Sequence, residues 1–131
     1  MKRWLVKTEP STYAYEDLER EGETRWDGVK NATALIHLRK MKVGDEVFVY
    51  HTGKEKQVVG VAKVVTAPYP DPALDDERYV VVDLEPVRAL ATPTTLKAMR
   101  GDPAFAAFEL LTNPRLSVMP VPAAIARRIL D

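Results

Sequence analysis

Apolar residues fall along this chain in short blocks cut by proline and glycine, and the spacing inside each block sorts strand from helix. Trp4-Leu5-Val6 is a continuous apolar run that Pro10 must end, because proline lacks a donor and pushes its predecessor into extended geometry. It predicts a first strand. Ser11 or Thr12 then offers a cap for a short helix with Tyr15 and Leu18 on one face and Glu16 and Asp17 near the positive end of its dipole. From Asn31 the period lengthens: Ala34, Leu35, Leu38 and Met41 recur at helical spacing while Lys30, Arg39, Lys40 and Lys42 take the other side. Residues 46–50 read as a buried strand and the β-branched run 58–65 as a long one. Gly60 inside that run predicts a bulge or a close backbone approach. Residues 79–84 form another strand, delimited by Pro86.

Residues 93–99 predict a short helix, and Asp102-Pro103 opens another through Phe105, Phe108 and Leu111 that Asn113-Pro114 stops. Residues 116–119 read as a strand and residues 122–130 as a closing helix. Strands near both ends with helices between fit a small closed or nearly closed sheet, since closure removes vulnerable edges, whereas a βαβ series would alternate more regularly. The expectation is an α+β fold, a mixed β-barrel with flanking helices, in one domain over residues 1–131.

Composition narrows function more than fold. Nineteen basic residues balance nineteen acidic ones, which removes a whole-molecule field able to draw in any polyanion. Locally, residues 39–63 carry Arg39, Lys40, Lys42, Lys54, Lys56 and Lys63 against Asp45, Glu46 and Glu55, a patch able to steer phosphates. The absence of cysteine removes disulfides, thiolate zinc sites and cysteine nucleophiles together. With only His37 and His51 as imidazoles, neither a metal site nor a cofactor is expected. A stretch of about eighteen apolar residues is missing, so the expectation is a cytoplasmic monomer with no membrane partner.

Chemistry-bearing residues gather in the first fifty-three positions. Trp4, among apolar neighbours, reads as core. Trp26 follows Thr24-Arg25 and precedes Asp27-Gly28, where a loop is expected, and either plugs the barrel or offers a face on which a base can stack. Lys7, Thr8 and Glu9 at a strand end either project into a barrel mouth or form a solvated group. Asn31 is a helix cap or a ligand carboxamide; His51 is a hydrogen-bonded core histidine or a pocket residue; His37, among basic residues, reads as solvated. Glu9 and His51 have the types for general acid–base work, but no nucleophile motif or glycine-rich phosphate loop completes a mechanism.

Six segments in order resemble the EVE domain family, a PUA-like branch related to YTH readers: residues 4–10, 26–31 and 41–52, Val59-Gly60-Val61-Ala62, Tyr69-Pro70-Asp71, and residues 115–120. Thr8, Lys30 and Thr52 stand where the family pattern has serine, arginine and serine; lysine at 30 gives up a bidentate fork. Residues 85–114 show little of the pattern. The resemblance implies a PUA-like barrel of five or six strands whose pocket holds a modified nucleobase of DNA or RNA, flipped out or displayed, without catalysis. It implies Trp26 as stacking platform, polar contacts from Lys7, Thr8, Glu9 and Asn31, flanking positions Asp27, Gly28 and Val29, a floor of His51 and Thr52, and Tyr69 and Arg115 at the rim. Two alternatives stand beside it: a small enzyme acting on a nucleotide or RNA through Glu9 and His51, and a sensor of a free nucleoside or other small molecule.

Overall fold

Trp4, Leu5 and Val6 are at most 2% exposed because β1 (Arg3–Thr8) runs between two neighbours. It pairs in parallel with β3 (Glu46–His51) and antiparallel with β7 (Val118–Pro120). The computed structural model describes residues 1–130. The remaining strands are β2 (Thr24–Trp26), β4 (Gln57–Val64), β5 (Tyr69–Pro70) and β6 (Val80–Thr95). Six strands lie in the order β2-β6-β4-β3-β1-β7, with β5 paired to β6, and the mixed sheet curls into a PUA-like half-barrel.

Among the described residues five helices flank the sheet: α1 (Tyr15–Glu21), α2 (Ala32–Lys40), α3 (Leu96–Arg100), α4 (Glu109–Thr112) and α5 (Ala123–Leu130). The apolar stripe of α2 is buried through Ala34, Leu35 and Leu38, and one of its free N-terminal amides is met by Asn31, whose side chain accepts from the Ala34 N–H at 3.0 Å. The cap of α1 differs from expectation. Ala14 takes that position, with its own N–H held by the Asp17 carboxylate at 2.8 Å, while Ser11 and Thr12 lie in a turn closed on the Glu9 carbonyl. None of these helices is long and apolar enough to cross a membrane.

Three other expectations are corrected. The strand 79–84 does not stop at Pro86 but continues to Thr95, because Pro86 faces Ala62 where the β4–β6 register shifts and a missing N–H leaves no ladder bond unmade. Pro93 falls in a second irregular stretch, between Leu90 and Thr94, so the helix expected from 93 begins only at Leu96, capped by the Thr95 hydroxyl. The helix expected from Asp102 through Leu111 divides into a 3-10 turn, Pro103–Phe105, and α4, which together bury Phe105, Phe108 and Leu110.

Gly60 marks the expected bulge, and the close approach there is by a side chain rather than by backbone. It sits at register shifts toward β3 and β6, and a Cβ there would lie 2.5 Å from the Tyr15 ring. Tyr15 is 1% exposed, and its hydroxyl donates to the Val61 carbonyl at 2.6 Å. Helix α1 is thereby pinned to the middle of the sheet.

The parallel register of β1 and β3 gives the fold two distinct ends. Arg3 lies opposite Glu46 at one, and Thr8 opposite His51 at the other. At about 3.3 Å per residue, the ends are roughly 17 Å apart.

Candidate ligand cavity at the end of β1

A cavity of about 570 Å³ opens where β1 and β2 finish. Lys7 and Thr8 reach it from β1, Trp26 from β2, and Asp27, Gly28 and Val29 from the loop that leads into α2. Trp26 is in a short strand rather than the expected loop: residues 24–26 pair with Leu84, Asp83 and Val82 of β6, a run too brief to show an alternating pattern. The indole is 8% exposed, so it is a packed wall with a small open surface. Gly28 has φ of 79°, a left-handed turn that glycine adopts without strain, and it swings the loop around the cavity mouth.

Six residues on this wall, Thr12, Tyr13, Thr24, Arg25, Lys30 and Ser117, were not among the expected site residues. Tyr13 stands edge-on to Trp26, with ring centroids 6.1 Å apart at 84°. Its hydroxyl donates to Glu21 at 2.5 Å, and burial followed by that bond pushes the phenol up to about 12, so it stays protonated. Thr24, Arg25 and Ser117 also line the space. Ser117 carried a usable signal: it lies between buried Leu116 and Val118, so an alternating chain turns its hydroxyl away from the core. Arg115, two residues earlier, is exposed and does not line the cavity.

Thr8 is fixed by a 2.6 Å bond from its hydroxyl to the Tyr13 carbonyl, which ties the end of β1 to the opposite wall. Lys7 is held differently. Its ammonium donates to the Pro114 carbonyl at 2.8 Å, and burial lowers its pKa from the usual value. Lys30 also borders the cavity, its ammonium 5.2 Å from the centre of the Tyr79 ring. Arg25 is steadied from behind by Tyr69, which accepts from its Nε at 3.4 Å and donates to Asp83 at 2.5 Å. Tyr69 therefore backs the rim and does not line it.

The remaining expected residues sit beside the cavity or away from it. Glu9 accepts from the Ser11 hydroxyl at 2.9 Å and packs on Gly53, where an added Cβ would be 2.8 Å from its Oε2. Asn31 serves as the α2 cap. His51 is 1% exposed; its Nε2 accepts from the Tyr15 N–H at 3.0 Å, which puts the ring proton on Nδ1, 2.9 Å from Glu55 Oε1. Thr52 bonds the Thr8 carbonyl through its N–H at 2.9 Å and its hydroxyl at 3.3 Å. His51 and Thr52 thus brace the cavity from behind instead of forming its floor. Glu9 and His51 do not meet as an acid–base pair, since both ring nitrogens of His51 are engaged by Tyr15 and Glu55. Among the described residues no three His, Asp or Glu side chains are grouped to hold a metal ion.

The basic patch read across 39–63 is divided by β3, which carries the chain from one end of the fold to the other. Lys40 borders a second cavity, of about 450 Å³, with Lys2, Arg3, Trp4 and His37. Arg39 donates to the Arg78 carbonyl at 2.6 Å, and Lys42 precedes the turn into β3. Lys54 and Lys56 lie beyond β3, at the Lys7 end. His37 is not the solvated residue expected: it packs 6.0 Å from the Trp4 ring, its Nε2 is buried without a partner, and burial lowers its pKa. The second cavity has one indole, whose N–H is already committed to Asp45 at 2.9 Å. The first joins two aromatic rings to hydroxyls and cations from several segments, which suits a planar polar ligand better.

The family model described as EVE domain matches residues 2–131. Thymocyte nuclear protein 1 of Rattus norvegicus is 31% identical over 153 aligned residues, covering 90% of this chain and 67% of the relative. A crystal structure of an Agrobacterium tumefaciens protein superposes with a TM-score of 0.96 at 32% identity, covering 99% of this chain and 91% of that one. Human THYN1 protein, solved in complex with 5-methylcytosine containing DNA, superposes with a TM-score of 0.90 at 28% identity, covering 99% and 96%.

Proposed function

The chain belongs to the EVE domain family, and from that premise we propose that it is a non-enzymatic binder of nucleic acid that holds a modified base in the cavity beside Trp26. The observation that carries this reading is the pairing of Trp26 and Tyr13 around a space of about 570 Å³, inside the roughly 300–1,000 Å³ usual for small-ligand sites. A base inserted there meets aromatic surface on one side and the hydroxyls of Thr8, Thr24 and Ser117 with the ammonium of Lys7 on the others. The relative solved with DNA containing 5-methylcytosine supports both the polymer and the modified base.

Extruding a base from a duplex costs a few kcal/mol, and a base already displayed by a single strand avoids most of that. Burying one methyl contributes only about 0.8 kcal/mol. Discrimination therefore rests chiefly on polar groups that an incorrect base leaves unpaired.

The test is a panel of short oligonucleotides, DNA and RNA, each with one plain or modified base, titrated by fluorescence anisotropy. One modification should bind best, and Trp26→Phe should reduce that preference. Phenylalanine is preferable to alanine because a side chain 8% exposed also supports the core. Equal binding across the panel would overturn the reading, and saturable binding of the free nucleoside with no gain from flanking phosphates would replace it with a small-molecule sensor.

A further inference from the structure

Lys7 borders two depressions at once. On one side is the Trp26 cavity; on the other is a smaller hollow of about 160 Å³ formed with Thr52, Gly53, Lys56 and Arg100. Lys56 and Arg100 in turn border a third, of about 450 Å³, with Lys54, Lys97 and Leu96. Shared residues set the three side by side, a trough of adjoining hollows that starts at the aromatic pair and runs across the tip of the β3–β4 turn onto α3.

Backbone bonds hold this trough together. The Leu96 N–H donates to the Lys56 carbonyl at 2.8 Å, and Gln57 pairs with Thr95, so the first turn of α3 is fastened to the lysine-bearing turn. Lys97 and Arg100 are three apart on α3 and share a face. Lys54, Lys56, Lys97 and Arg100 are all exposed. Among the described residues none of the four forms an ion pair, whereas Arg3, Lys63, Arg78 and Arg128 each have a carboxylate partner. Two carboxylates line it: Asp27 lies at the Trp26 end, away from the four cations, and Glu55 is turned toward His51 and Gln57. Lys56 also has φ of 49°, a left-handed conformation that Gly or Asn would adopt at less cost.

We infer that the nucleic-acid strand flanking the bound base leaves the cavity over Lys7 and lies along this trough, its phosphates paired with Lys54, Lys56, Lys97 and Arg100. The inference rests on the base-binding reading for its starting point, but its readout is independent: phosphate contacts appear in the salt dependence of binding, base contacts in the ratio between modified and plain oligonucleotides. It also assigns a role to α3, in the part of the chain where the family pattern is faint.

The experiment compares wild type, Lys97→Gln/Arg100→Gln, and Lys2→Gln/Lys40→Gln, whose residues border the second cavity at the far end of the fold, each titrated with a single-stranded oligonucleotide at several salt concentrations. At about 0.7 per phosphate contact on a single strand, the α3 pair should flatten the slope of log affinity against log salt by about 1.4. It should leave the modified-to-plain ratio and free-nucleoside binding unchanged, and the far-end pair should leave the slope unchanged. An unaltered slope in the α3 variant, or equal flattening by both pairs, would overturn the inference even with base preference intact. Loss of all base preference in wild type, with the α3 variant still flattening the slope on plain oligonucleotide, would remove the cavity reading and keep the phosphate track.

Discussion

Trp4 and Trp26 occupy opposite ends of one sheet and differ little in burial, at 2% and 8% exposed, yet their surroundings are completed in different ways. Around Trp4 the protein supplies the partner itself. The indole donates to one oxygen of Asp45, whose carboxylate also receives the N–H groups of Lys2 and Lys42 at 3.0 Å each, so the polar edge of this ring is met within the protein even though Trp4 and His37 border the second cavity. Around Trp26 the neighbours leave a gap, bordered by Tyr13, the Thr8 hydroxyl and the Lys7 ammonium. Both rings border a cavity, so neither burial nor empty space separates a core tryptophan from a site tryptophan; the polar and aromatic groups gathered beside the ring do.

The largest separation between the ends is expected from Asp45→Ala. It strands three donors in a region where Asp45 is 4% exposed, and each buried donor left unpaired costs about 1–3 kcal/mol. A loss of about 3 kcal/mol or more should appear in the urea midpoint, with base preference retained by the folded fraction. If preference collapsed in parallel, the two ends would not be independent. Acid should reveal the same network: burial opposes the Asp45 charge, but the bonds from Trp4, Lys2 and Lys42 outweigh it and hold the carboxyl below its ordinary value. A depressed folded pKa adds stability above the unfolded value of about 3.9 that is lost as pH falls through the folded one. Trp4→Phe removes one of these bonds, so its stability deficit should be complete at pH 7 and shrink below about pH 4.

Gly60→Ala comes next, and it should not respect the division between the ends. The new methyl would meet the Tyr15 ring, and overpacking of this kind costs about 1–3 kcal/mol. Tyr15 lies two residues after Tyr13, the partner of Trp26, so displacing its ring should also weaken ligand binding. Loss of stability with unchanged binding would show that Tyr13 is held by Thr8 and Glu21 alone.

Much of this was legible in sequence wherever one residue type answers one local demand. The apolar run 4–6, the helical spacing from Ala34 to Met41, Asn31 as a cap and Gly60 as a close approach all express backbone or packing requirements carried by neighbouring residues. The errors came from partners distant in the chain. Pro86 reads as a stop unless the bulge opposite Ala62 is known, and Trp26 reads as loop unless β6 is there to pair with it. At the cavity, Lys7, Thr8 and Trp26 were found by type and position, while Tyr13, Arg25 and Ser117 were missed because only folding brings three separate segments to one mouth. His51 and Asn31 show the reverse: their chemistry suggests ligands, but backbone amides claim them first.

Matched swaps at the two indoles give a smaller effect of clearer meaning. Trp26→Phe keeps a ring but reduces its surface; since stacking a base on an aromatic side chain contributes about 1–3 kcal/mol by alanine substitution, part of that should be lost, a fall of up to about tenfold in affinity for the preferred base. Trp4→Phe should leave affinity unchanged while lowering thermal stability. Equal affinity losses from both would erase the contrast between the ends.

The finest test concerns the layer behind the open end. Tyr69→Phe keeps the ring but deletes the hydroxyl that accepts from Arg25 and donates to Asp83. The Asp83 bond holds the Tyr69 phenol above its usual pKa, so in the native protein it remains a donor to Asp83 and leaves its lone pairs for Arg25. Without it, Arg25 keeps its charge and its place in β2 but loses the contact that orients its side chain toward the cavity. Exposed charge interactions of this sort are weak in water, so affinity should fall by less than about fivefold with little change in melting temperature. A fall matching that of Trp26→Phe would mean that the open end depends on its outer layer as much as the closed end depends on Asp45.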